Sequence, residues 1–470
     1  MRQSSLVVVA NRLPIDDNAP PDGVCEWRRS PGGLVGALHD ILAHTPATWV
    51  GWAGGAGPAP ELPDIGRLRI HAVGLSEAEL ADYYEGFANS TLWPLYHDAV
   101  EQPVFDRSWW EAYQQANRRF ADAAAEVAEP GAAVWVQDYH LQLVPAMLRE
   151  RRPDLLIGFF LHVPFPPPEL FMQLPRRTEL LRGMLGADLV GFQRAQGAHN
   201  LAQLARRLLG AKATDRAIEL DGRTVRTGAF PVSIDVAEMQ SLAARPDVVR
   251  RARQIRADLG QPRHVLLSVD RLDYTKGIEH RLTAYSELLR DGDVKAPDTV
   301  LVQVAVPSRE RVGHYRLLRD RIEREVGRIN GEYGRVGGPA IHYLNQRFDR
   351  AELAALYLAA DVLVVTPLRD GMNLVAKEYV AARTDGDGAL VLSEFAGAAV
   401  ELDEAFLVNP HDLDDLKATL LAAMDASAAE RSARMAAMRR QVTRHDIRAF
   451  TRAYLRSLDD SGALAASVTG

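Results

Sequence analysis

VLLSVDRLDYTKG, residues 265–277, joins a short and almost wholly apolar run to a loop that carries Arg271 and Lys276. The run does not alternate between apolar and polar residues, which is the pattern of a parallel strand covered on both faces. The cations follow just beyond its carboxyl end, where open α/β sheets bind their ligands. Arginine presents a planar fork to two oxygens and lysine adds a point charge, a pair suited to a diphosphate. Taken alone, the same two residues also read as solvated surface charges.

The same plan recurs in TPLRDGMNLVAKEYV, residues 366–380, as strand, short loop and helix. Gly371 allows a tight turn, and the backbone N–H groups of Met372, Asn373, Leu374 and Val375 would open a helix toward an anion. Asp370 stands at the loop tip, where it reads either as a site residue or as a helix N-cap. Glu378, on the first turns of the helix, reads either as a surface charge or as an acceptor for vicinal hydroxyls such as those of a ribose.

Working outward, further apolar runs fall at 6–10, 133–137, 155–161, 187–191, 300–304, 362–366 and 389–393. Amphipathic stretches at 106–127, 176–185, 197–209, 310–326 and 351–359 separate them. This β–α alternation predicts an α/β fold of doubly wound sheets, with too many strands for one sheet. A strand-like run at 228–236 meets a charged, helix-rich segment at 237–259, and a fresh strand opens at 265. The expected organisation is therefore two Rossmann-like domains, 1–234 and 235–450, facing a central cleft, followed by a helix and tail at 451–470 whose last residues fray. A hinge near residue 235 would close the cleft and exclude water.

Length and composition bound the rest. The 470 residues suffice for two or three cores, with 47% hydrophobic and 25% charged residues. Lys and Arg number 55 against 62 Asp and Glu, a formal charge of −7, which argues against general binding to nucleic acid or an anionic membrane. A single cysteine, Cys25, excludes an intrachain disulfide and a multi-cysteine metal site. No apolar run is long enough for a signal peptide or a membrane helix, so a cytoplasmic location is expected. Walker, zinc-binding and nucleophile-elbow motifs are missing, and residues 32–36 only echo a dinucleotide fingerprint. The acidic string Asp412-Leu-Asp414-Asp415 reads as helix capping.

In the first half, VWVQDYHLQLVP (134–145) and GFFLHVPFPPPELF (158–171) place Asp138, His140 and His162 just after buried strands. Each could be an ordinary satisfied polar residue, but three at one end of a sheet suggest a site. YYEGFANSTLWPLYH (83–97) is dense in aromatics without strand or helix periodicity. It is expected to form a loop that either packs internally or faces a sugar ring.

Together these stretches resemble the trehalose-6-phosphate synthase family. ANRLP, SPGGLVGAL, WVGWAG, YYEGF with NSTLWPLYH, WVQDYHL, FFLHVPFPPPELF, SVDRLDYTKG, YLNQRFDR, TPLRDGMNLVAKEYV and LSEFAGAA occur in the family's order over roughly residues 6–400. The resemblance implies a retaining, metal-independent glucosyltransferase of the GT-B type, needing no cofactor. It would join glucose from a nucleotide-glucose donor, UDP-glucose by default, to glucose 6-phosphate, giving α,α-trehalose 6-phosphate. GDP- and ADP-glucose stay open as donors. Arg12, Tyr84, Trp93, Asp138 and Arg309 match the acceptor positions. Gly33, His162, Arg271, Lys276, Phe348, Asp370, Gly371, Met372, Asn373, Leu374, Val375 and Glu378 match the donor positions. Arg271 and Lys276 would stabilise the leaving diphosphate, Phe348 would meet the base, and Glu378 the ribose. Asp138 is the further side chain to test in catalysis, and Trp93 and Val163 match positions linked to anomer selection. Dimers or tetramers are expected. A relative coupling cyclitols, a silent sugar-phosphate sensor and a dehydrogenase are the competing readings; intact Arg12, Tyr84, Trp93, Arg309, Arg271, Lys276 and Glu378 weigh against the first two.

Overall fold

The computed structural model describes residues 3–17, 27–29, 46–309, 311–460 and 464. Gly33, Cys25, the 32–36 echo and most of the expected frayed tail lie outside the described residues. The chain forms two compact units, Met1–Val232 with Ile447–Gly470, and Ser233–Asp446.

The strands of the first unit are β1 (Ser4–Arg12), β2 (Ile15–Asp17), β3 (Trp27–Arg29), β4 (Ala47–Trp52), β5 (Leu68–Val73), β6 (Ala128–Gln137), β7 (Leu156–Leu161), β8 (Leu189–Phe192), β9 (Lys212–Ala213), β10 (Ala217–Leu220) and β11 (Arg223–Ala229). Nine of them form one sheet in the order β5-β4-β1-β6-β7-β8-β11-β10-β9. It is parallel from β5 to β11 and closes with an antiparallel β11-β10-β9 edge. Val7, Val8 and Val9 of β1 and Val134, Trp135 and Val136 of β6 are fully buried. Layers on both faces of the sheet account for their unbroken apolar runs.

One of those layers is the helix Ile447–Leu458. Its buried residues Ile447, Phe450, Thr451, Tyr454, Leu455 and Leu458 recur at helical spacing. Tyr454 stacks on Trp135 with ring centroids 4.6 Å apart. A Cβ at Gly158 would come 2.6 Å from the Tyr454 hydroxyl, and one at Gly191 2.7 Å from its ring. Two mid-strand glycines are thus explained by the close approach of one tyrosine. The expected partition counted residues 447–450 with the second domain and 451–470 as a tail; in the structure the whole segment groups with the first unit.

In the second unit, β12 (His264–Arg271), β13 (Thr299–Val306), β14 (Ile341–Leu344), β15 (Val362–Val365), β16 (Ala389–Ser393) and β17 (Phe406–Val408) make an all-parallel sheet in the order β14-β13-β12-β15-β16-β17. Strand order reverses at the β12/β15 boundary here and at the β1/β6 boundary in the first unit. Reversal leaves a crevice at the carboxyl ends, because the connections on either side run in opposite directions.

All eight anticipated strands are present. Among the described strands, β2, β3, β4, β5, β9, β10, β14 and β17 were not anticipated; β5, β9, β14 and β17 are sheet edges, β4 and β10 lie next to one, and β2 pairs only with β3. Asp412 caps the helix Leu413–Asp425, accepting from the N–H of Asp415 at 3.0 Å, as read from the sequence. The aromatic stretch expected as a loop is instead helical. Leu80–Leu92 forms a π-helix, followed by an α-helical turn at Trp93–Tyr96. A π-helix advances by i→i+5, so its buried side chains match neither the 3.6 nor the 2.0 period. Side chains reinforce that spacing: Asn89 Nδ2 donates to the Tyr84 carbonyl and Ser90 Oγ to that of Glu85, both at 2.7 Å.

Candidate active site

In the first unit the candidate residues gather beyond the carboxyl ends of β1, β4, β6 and β7. Arg12 ends β1 and lies over the ring of Trp52, which ends β4, with the guanidinium carbon 4.9 Å from the centroid. Gly54 makes room for it, since a Cβ there would fall 2.3 Å from Arg12 Nη1. Tyr84, from the π-helix, packs edge-on against Trp52 at 5.3 Å, and His140 stacks on Tyr84 at 5.7 Å. A cation and three aromatic rings therefore line up, and two of the expected acceptor residues, Arg12 and Tyr84, meet through Trp52. Trp93 is buried against His97 and Tyr139, at ring distances of 4.1 and 5.6 Å, and Val163 is buried as well.

Asp138 follows β6 with φ at +71°, a backbone region that costs a non-glycine residue energy and recurs at functional sites. Its N–H donates to the Phe160 carbonyl at 2.7 Å. Its Oδ1 accepts the backbone N–H of His162 at 3.2 Å. The His162 ring sits 2.9 Å from Gln137 Oε1 and packs on Phe160. Burial pushes this imidazole down to about 3, so it is neutral at physiological pH.

In the second unit, loops from both sides of the β12/β15 reversal meet. Lys276 Nζ is ion-paired with Asp370. Leu368 N–H donates to the Thr275 carbonyl at 2.7 Å, tying the two loops by backbone as well. Asp370 was read as a possible N-cap; the cap of Leu374–Ala382 is instead Asn373, whose side chain accepts from Ala376 N–H at 3.1 Å. The expected fan of N–H groups from Met372 to Val375 is modified accordingly, because Met372 N–H points to Asp370 Oδ1 at 3.4 Å. The close approach in this loop belongs to Gly397, where a Cβ would meet the Gly371 carbonyl at 1.9 Å. Glu378 is half-buried and accepts from the Tyr357 hydroxyl at 2.8 Å. Burial raises its pKa, and that hydrogen bond opposes the rise. Phe348 lies half-buried in the loop after β14.

Arg271 ends β12, exposed. Arg309, just after β13, has φ at +49°. Its Nη1 donates to Asp273 Oδ2 at 2.9 Å and to the Tyr315 hydroxyl at 2.5 Å. Asp273 is fully buried and also accepts the Thr275 N–H at 3.0 Å. Burial alone would push its carboxyl up; Arg309, Arg271 and Lys276, with the Thr275 N–H, hold it down at about 2. Beneath them, fully buried Arg281 makes two 2.9 Å hydrogen bonds to Asp270 and one of 3.2 Å to the Lys276 carbonyl.

Sequence reading missed the residues that hold the expected ones in place: Trp52, Gln137, Asp273, Tyr315 and Tyr357. Only Trp52, Gln137 and Asp273 lay inside motifs already singled out. Gly277 joins the loops most tightly, with φ at +62° and a would-be Cβ 2.1 Å from the Thr366 carbonyl. Gly277→Ala is expected to destabilise the protein by about 1–3 kcal/mol through backbone strain and to lower turnover. Denaturant melts and steady-state rates together check this, and an unchanged midpoint would overturn it.

The sequence model of glycosyltransferase family 20 matches residues 4–460. The trehalose-6-phosphate synthase of Mycobacterium avium (strain 104) is 57% identical over 472 residues, 98% of this chain and 96% of that protein. Among solved structures, the UDP-forming α,α-trehalose-phosphate synthase of Burkholderia xenovorans in complex with glucose-6-phosphate superposes with a TM-score of 0.89. It is 34% identical, covering 96% of this chain and 99% of that one. An E. coli protein bound with UDP-2-fluoro glucose gives 0.88 at 37% identity, covering 96% and 98%.

Proposed function

The chain belongs to glycosyltransferase family 20, and from that membership we propose that it transfers glucose from UDP-glucose to glucose 6-phosphate. The products are UDP and α,α-trehalose 6-phosphate, with retention at the donor anomeric carbon. The observation that carries this reading is the match along nearly the whole chain to proteins of that named activity, including the structure described as holding glucose-6-phosphate.

The roles that the family resemblance implies are compatible with the chemistry of the residues. Arg12 and Arg309 bind the 6-phosphate, since guanidinium forks match phosphate oxygens, with Tyr84 beside them. Trp93 and Val163 shape the sugar pocket and select the anomer. Arg271 and Lys276 stabilise the diphosphate, with the start of the Leu374–Ala382 helix adding its dipole. Asp370 orients Lys276 by ion pairing, and with His162 it holds the transferred glucose. Glu378 takes the ribose and Phe348 meets the base through its backbone; Gly33 belongs to the same donor set. The bond from the anomeric carbon to the diphosphate breaks as the acceptor hydroxyl bonds to that carbon on the same face. The hydroxyl proton passes to a departing phosphate oxygen, so no side-chain nucleophile is required. Asp138 orients the acceptor.

Among the described residues, no helix is long and apolar enough to cross a membrane. A cytoplasmic location and assembly into dimers or tetramers belong to the same proposal, and sedimentation analysis tests the assembly.

The decisive experiment measures nucleoside diphosphate release from UDP-, GDP- and ADP-glucose, with and without glucose 6-phosphate, in EDTA. UDP release that depends on glucose 6-phosphate and survives EDTA is expected. No release from any donor would overturn the reading in favour of an altered-substrate or sensing role.

A further inference from the structure

β6 ends on Gln137, a buried amide at 1% exposure. Its Nε2 donates to the Trp135 carbonyl at 3.4 Å, which turns Oε1 toward His162, 2.9 Å from the ring's Nε2. An amide oxygen only accepts, so the proton between them belongs to the imidazole. Reversing the amide would set its oxygen against the Trp135 carbonyl, acceptor to acceptor. In a neutral imidazole one nitrogen carries the proton and the other a lone pair, so a proton at Nε2 leaves Nδ1 as an acceptor.

We propose that Gln137 is a positioning residue that locks His162 as the Nε2–H tautomer, so that Nδ1 accepts a hydrogen bond from a hydroxyl of the transferred sugar. This rests on the reading above that His162 faces the donor glucose. The surroundings keep the ring uncharged. Asp138 directs Oδ1 to the backbone N–H of His162 at 3.2 Å. Phe160 packs on the ring at 4.6 Å. Behind Phe160 stands Tyr454 of the Ile447–Leu458 helix, 5.6 Å away, whose phenol burial pushes well up and so keeps neutral. A charged imidazole would carry protons on both nitrogens and could only donate.

The tautomer is read directly by ¹H–¹⁵N spectroscopy of the full-length protein labelled at histidine, with His162 assigned by the signal lost in His162→Asn. The expected result is a neutral ring protonated at Nε2. Gln137→Glu keeps the shape but places a carboxylate against Nε2–H, which raises the imidazole's pKa. His162 then titrates within about pH 5 to 8. Below that step the KM for UDP-glucose is expected to rise about tenfold, the worth of one hydrogen bond, with the KM for glucose 6-phosphate unmoved. The wild type shows no such step. Gln137→Met, which keeps the volume without the acceptor, should raise the donor KM independently of pH, and it serves if the glutamate variant does not fold. A merely structural Gln137 would alter stability or kcat without creating a new ionisation.

A wild-type ring protonated at Nδ1, or no shift of the His162 titration in Gln137→Glu, would overturn the lock itself. A locked Nε2–H tautomer with an unchanged donor KM in both variants would overturn the sugar contact instead, and with it the donor-site reading of His162.

Discussion

Replacing Lys276 by alanine is expected to lower kcat by about 10²-fold, the usual cost of removing one preorganised group aimed at developing charge. Negative charge grows on the diphosphate as the glycosidic bond breaks, so a cation fixed beside it is worth more in the transition state than in the ground state. Lys276 is fixed in three ways. Its ammonium pairs with Asp370, its carbonyl accepts from buried Arg281, and the next residue, Gly277, is pressed against the Thr366 carbonyl. The donor KM should change far less than kcat. Asp370→Ala should slow turnover by loosening the same ammonium as well as by losing its hold on the glucose, and the double variant should then lose less than the product of the two single losses, because the ion pair couples them. Steady-state kinetics with UDP-glucose decide the matter. An unchanged kcat in Lys276→Ala removes it from the mechanism, and full additivity would separate Asp370 from it.

Arg309→Ala is expected to have two effects with one cause. The guanidinium is assigned to the 6-phosphate, so the KM for glucose 6-phosphate should rise by about 10²-fold while that for UDP-glucose moves little. Equal effects on both would refute the acceptor assignment. The second effect is on stability, because Arg309 is also the nearest counter-charge of fully buried Asp273. Removing one partner of a buried pair costs about 3–5 kcal/mol, and Arg271, Lys276 and the Thr275 N–H favour the lower end. The pH dependence has a definite sign. Asp273 is held at about 2 when folded, below the ordinary carboxylate value of about 3.9. Its contribution is therefore fully present above about pH 4 and lost as pH falls toward 2. Without Arg309 the folded pKa rises, so the stability gap between wild type and variant should be widest above pH 4 and narrow on acidification. A gap that stays constant with pH would show that the Asp273 pair is not its source.

How far each site was legible depended on the range of its contacts. Strand-forming runs such as 265–269 and 133–137 could be read because burial on both faces demands continuous apolar sequence. Arg271, Lys276, Asp138 and His162 could be located because polar residues directly after such runs fall at the carboxyl edge of a parallel sheet. The π-helix at Leu80–Leu92 could not be read, since its spacing matches neither of the two periods by which helices and strands announce themselves. Partner choice was equally hidden. Nothing local in TPLRDGMNL decides that Asn373 caps the helix while Asp370 turns to a lysine 94 positions earlier.

By itself the sequence determined the α/β class, the strands that matter and the chemical types gathered at their ends, because these follow from local patterns of burial and charge. Its ordered motifs also determined the family. Only the tertiary structure decided which charges neutralise one another, which glycines are required by a neighbouring backbone, and that the helix Ile447–Leu458 joins the first unit's sheet beneath Trp135 and Phe160. Those are consequences of residues far apart in the chain coming within a few ångströms, where desolvation and close packing act and sequence spacing carries no signal.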